Sequence, residues 1–172
     1  MSHGRRVVAS ALAVGLCGIA FAACGDGSGP KLTQKTLKFT EADTDNFALV
    51  DNAPKTKFGK DGPEKLSNGD QLAFQSQMLD GAKKRVGSLD ATCLVTAANS
   101  GKFEDASSTC HATVTVPGGQ LFIGVGGKPF ASNTTTGAVT GGTGAFDGAT
   151  GSFTSVGENN SKDTFHIWIP KK

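Results

Sequence analysis

The sequence predicts an all-β domain, a meander of seven or eight short strands closed into a barrel. Short segments alternating apolar and polar residues recur along the chain, separated by clusters of Gly, Asn, Asp and Pro. Beyond the N-terminal segment, no stretch keeps a helical period for long enough to suggest a packed helix. The 172 residues include 24 glycines, about twice the usual share of ~7%, with no collagen period. Glycine at that level marks tight turns and bent strands. A meander of short strands is most stable when closed, because closure leaves no strand edge unpaired.

The length fits one domain with a short appendage. A net charge of +2 with no basic stripe argues against nucleic acid as a partner. The chain has no Tyr and a single Trp, so it lacks the usual stacking platforms for bases or sugars.

The N-terminus reads as a secretory signal peptide over residues 1–23. Arg5 and Arg6 precede an apolar stretch from Val7 to Ala23, which ends in the small pair Ala22-Ala23 before Cys24. Residues 24–33 form a flexible tether, and the barrel domain is expected over 34–172. Small residues just before a cysteine resemble a bacterial lipobox, in which Cys24 would be acylated and become the mature N-terminus. Phe21 stands where leucine is usual in that motif. The other route is ordinary cleavage after Ala22, releasing a free secreted protein. The chain is therefore expected to be exported, either lipid-anchored on the outer surface of the cell membrane or secreted.

The first strand is expected over Gln34 to Glu41, with Leu37 and Phe39 on one face, and a short one over Phe47 to Val50. Residues 51–69 read as a long polar loop. From Gln71 to Leu79 the pattern alternates, placing Leu72, Phe74 and Met78 on one face and Ala73, Gln75 and Gln77 on the other. Arg85 to Ala98 and Phe103 to Val116 read as the arms of a hairpin turning at Gly101-Lys102. In that register Cys93 lies directly opposite Cys110, and Thr92 opposite His111. Opposed Cβ atoms lie about 4.5–5.5 Å apart, wide for a disulfide but adjustable by twist or a bulge. Cys17 leaves with the signal and lipidation would occupy Cys24, so Cys93 and Cys110 remain as a pair in an oxidising compartment.

Pro117-Gly118-Gly119 is a turn, Gln120 to Val125 a strand, and Gly126 to Ser132 a second turn region. Thr134 to Thr140 is rich in β-branched residues, and Gly141-Gly142-Thr143-Gly144 interrupts the chain. Phe153 to Val156 and Thr164 to Ile169 complete the meander. The last strand sorts Phe165, Ile167 and Ile169 to one face and Thr164, His166 and Trp168 to the other.

The run Gly141-Gly142-Thr143-Gly144-Ala145-Phe146, ending at Gly151, resembles the GGTG-aromatic signature of the allene oxide cyclase and dirigent barrels. Upstream, Cys93, Cys110 and Val116-Pro117-Gly118-Gly119-Gln120 are similar to the layout of bacterial proteins with that barrel. Thr150 stands where the signature usually carries Arg. The likeness spans residues 35–170 and implies an eight-stranded antiparallel barrel with a small-molecule cavity. It also implies cofactor-free cyclisation or isomerisation, in which a flexible apolar substrate is folded into one reactive shape, and assembly as a homotrimer or homodimer.

Other chemistry finds little footing. The GGTG run lacks the Lys-Ser/Thr of a phosphate loop. With only His111 and His166 beyond the signal, and no CxxC, no metal site is expected. Asp43 and Asp45 lack the spacing of a calcium loop, and no GxSxG is present. A barrel cavity is then the default site. Its candidate polar lining is Asp90, Thr92 and His111, on the strand face opposite the cysteines, with His166 and Trp168. The alternative puts that face on solvent or at a subunit interface. Two functions compete: a cofactor-free cyclase or isomerase for an apolar small molecule, and a non-catalytic surface lipoprotein binding a hydrophobic ligand or a protein.

Overall fold

The computed structural model describes residues 29–59, 62–157 and 160–171. The proposed signal peptide, Cys24 and most of the tether lie outside the described residues. Among the described residues ten strands follow in order: β1 (Leu32–Val50), β2 (Phe58–Gly59), β3 (Gly62–Pro63), β4 (Gln71–Leu79) and β5 (Arg85–Ala97), then β6 (Ser107–Val116), β7 (Gly119–Gly127), β8 (Thr134–Gly142), β9 (Thr150–Val156) and β10 (Lys162–Pro170). Eight of them close into an antiparallel barrel in the order β1-β10-β9-β8-β7-β6-β5-β4, while β2 and β3 form a small separate ribbon.

The expected strands Gln34 to Glu41 and Phe47 to Val50 are one strand. β1 pairs with β10 through Thr40 and with β4 from Thr40 onward, and its register shifts between Asp43 and Phe47. One long strand bent at that irregularity closes the barrel. Asp43 and Asp45, outside both expected strands, therefore lie within β1.

The β5–β6 register is the expected one, with Cys93 paired to Cys110 and Thr92 to His111. The two cysteines form a disulfide, with Cα atoms 4.0 Å apart. The turn differs from expectation. A register shift between Val95 and Ala97 ends the ladder early, and a 3-10 turn at Phe103–Asp105 replaces the start of the expected second arm. Phe103 packs instead against the second of two core clusters, with Leu66, Leu72 and Val95.

The two barrel ends differ. At one, the turn after β6 and the GGTG segment interlock through backbone bonds, with Ala145 N donating to Gly118 O at 2.7 Å and Thr143 N to Gln120 O at 2.9 Å. Gly144 has φ +63°, and a Cβ there would stand 2.3 Å from Gly118 O, so the close approach requires glycine. Phe146, 5% exposed, then plugs this end beside Val116, Leu121 and Ile169. The opposite end carries the longer connections, 51–70, 98–106 and 128–133. Buried Asp70 anchors the first of these by accepting from Asn52 N at 2.8 Å and Ser67 N at 2.7 Å.

Candidate functional site

Strand alternation decides which side chains enter the barrel. Leu72, Met78, Leu89, Cys93, Cys110, Val114, Phe165 and Ile167 are buried, so the residues that alternate with them along each strand face outward. Below the end with the long connections this leaves an internal cavity of about 170 Å³. Phe74, Leu89, Cys93, Cys110 and Ile123 form its apolar wall, and Phe153 also lines it. The other wall carries Glu41, Thr135 and Ser155.

Pro129 and Phe130 of the β7–β8 connection line the same cavity. Phe130 lies 4.4 Å from Phe103, centroid to centroid, with the rings 30° apart. Lys128 Nζ is 3.7 Å from an Asp105 carboxylate oxygen, and Thr135 Oγ1 donates to Pro129 O at 3.0 Å. The Asp105 carboxyl is held below its ordinary pKa, chiefly by the Ser100 hydroxyl and then by Lys128 and Lys102. Together these contacts fix the β7–β8 connection over the barrel mouth.

The polar wall carries the unusual chemistry. Glu41 N donates to Ser161 O at 2.8 Å, and Ser161 Oγ donates to the Glu41 carboxylate at 3.2 Å. Asp163 follows two residues later on β10, 1% exposed, and neither carboxyl oxygen has a hydrogen bond of ordinary geometry. Burial pushes its pKa up to about 7, the negative charge of Glu41 adds to the rise, and the Ser155 hydroxyl opposes it.

The five residues expected to line the cavity are on the other surface of the sheet. Asp90, Thr92, His111, His166 and Trp168 are all exposed, because the disulfide between them in phase points inward. The register brings Thr92 and His111 together as expected, and with Asp90 they line a shallow external depression of about 850 Å³. Gln75 Nε2 donates to Asp90 at 2.5 Å and Ser88 Oγ at 3.1 Å. His166 and Trp168 lie elsewhere on the outer face, with His166 Nδ1 3.0 Å from Thr36 Oγ1. The sequence did hold a signal for the interior acids. Glu41 continues the phase of Leu37 and Phe39, and Asp163 that of Phe165, Ile167 and Ile169.

No protein-family model matches the chain, and no curated protein matches it by sequence. Solved structures do. A pyocyanin demethylase superposes with a TM-score of 0.62 at 21% identity, covering 77% of this chain and 99% of its own. A pterocarpan synthase dirigent protein gives 0.62 at 17% identity, covering 83% and 94%. A Diels-Alderase from Streptomyces koyangensis gives 0.51 at 15% identity, covering 85% and 71%. At such identities the likeness is one of fold, and the closed eight-stranded barrel of this chain is a barrel of the allene oxide cyclase and dirigent type.

Proposed function

We propose that the barrel binds a small, largely apolar molecule in the cavity under Phe130 and acts on it as a cofactor-free isomerase or cyclase. The observation that carries this reading is an acid, Glu41, at the wall of a mostly apolar cavity, backed by the buried Asp163 on the neighbouring strand. Glu41 is the group that meets the ligand. It takes a proton from one ligand atom and returns it to another, so the net change is an isomerisation and no co-reactant is consumed. Asp163, buried on the neighbouring strand, is a positioning residue that acts on Glu41 across the ladder rather than on the ligand. The apolar walls hold the ligand in one shape, the larger part of such catalysis. The barrel neighbours described as dirigent protein and Diels-Alderase support a ring-forming or shape-directing role.

Export, with Cys24 as the lipid attachment site, belongs to the same proposal and rests on the N-terminal sequence. A second reading, a non-catalytic surface lipoprotein that binds a ligand or a protein, is favoured by exposed Phe122 and Leu94 on the outer face. Native mass spectrometry of the protein from its own cells separates the two. A bound small molecule lost in a Phe130→Trp variant, which fills the cavity mouth, supports the cavity. Retention of the same molecule by that variant would place it on the outer face.

A further inference from the structure

Resting on the cavity proposed above, we infer that its ligand is a single-ring-sized organic cation or N–H donor whose polar end sits against Glu41. Size comes first. The cavity of about 170 Å³ compares with an apolar cavity of ~150 Å³ that takes benzene, and falls below the ~300 Å³ at which drug-sized pockets begin. One ring with a short substituent fits that volume.

The sign of the charge comes next. No Lys, Arg or His lines the cavity among the described residues, whereas Glu41 does. Asp163, its diagonal neighbour on β10, adds a second acid to that side of the barrel without lining the cavity itself. A carboxylate facing an apolar space is costly, and a bound donor or cation at Glu41 offsets that cost. Phe74, Phe130 and Phe153 present rings to the same space, and aromatic faces attract cations. A carboxylate-bearing ligand would meet only repulsion.

The test is calorimetric titration of the purified full chain at pH 8 with three probes of one shape: benzylammonium, toluene and benzoate. Benzylammonium is expected to bind about tenfold or more tighter than toluene, the change a charge-assisted hydrogen bond supplies, with benzoate weakest. Glu41→Gln should bring benzylammonium close to toluene while leaving toluene unchanged. Asp163→Asn should weaken the same preference and serves if the first variant does not fold. Toluene or benzoate binding as tightly as benzylammonium would overturn the cation preference and leave the cavity standing. Failure of all three probes to bind would overturn both.

Discussion

Glu41 on β1 and Asp163 on β10 are diagonal neighbours on one interior face, since Asp163 pairs with Phe39 and Glu41 bonds Ser161. Diagonal pairs across a ladder lie within electrostatic reach, and Glu41 is accordingly the second cause of the raised Asp163 pKa, after burial. Burial and that neighbouring charge both disfavour the ionised Asp163. Asp163 is thus a proton store placed by the strand register.

That store ties stability to pH. The folded Asp163 has a pKa raised from 3.8 to about 7, so between those values the folded state binds more protons than the unfolded one. Its contribution is fully present below the unfolded pKa and is lost as pH rises through the folded pKa. Denaturant unfolding should show stability falling by on the order of a few kcal/mol between about pH 4 and pH 8. Asp163→Asn should flatten that slope. A wild-type slope that survives in the variant would assign it to another group.

Phe103 and Phe130 stack over the mouth. A double-mutant cycle to Ala should find a coupling of about 0.5–1.5 kcal/mol. Phe130→Ala alone should also admit larger apolar probes, measured as the largest naphthalene derivative that shifts the melting temperature.

Reducing the Cys93–Cys110 disulfide, or replacing both residues by Ala, should cost about 3 kcal/mol, from the loop the bridge closes. Urea denaturation with and without reductant reads this directly. Because both cysteines line the cavity, the double Ala variant should also enlarge it.

Gly142→Ala should destabilise by on the order of 3 kcal/mol, since its Cβ would stand 2.5 Å from Phe146 O and 2.7 Å from Gln120 O. Gly126→Ala, where nothing lies within 4 Å, should change stability far less. Thermal melts of the two variants compare them.

Much of the fold was legible because alternation and turn chemistry are local. The faces of Gln71–Leu79 and of the last strand, and the Cys93–Cys110 pairing, follow from period and register alone. The bend joining Gln34–Glu41 to Phe47–Val50 was not legible, because a bulge depends on closing the barrel. Nor was the 3-10 turn at Phe103, whose ring is drawn to the mouth by Phe130. For the site, polar residues near the cysteines were chosen by type rather than by phase. Asp90 and His111 alternate with inward Ala91 and Cys110, so they point to solvent. The interior acids share the phase of the apolar residues, so phase, not residue type, placed them inside.

The two barrel ends assign a direction to the whole molecule. Leu32 pairs with Pro170, and a Cβ on Gly148 would stand 3.1 Å from the same proline, so the chain enters the barrel at the end plugged by Phe146. A protein tethered through Cys24, as proposed above, would stand on that plugged end with Phe130 uppermost. Its ligand would then arrive from the surrounding medium rather than from the bilayer, which suits a water-soluble amine better than a lipid.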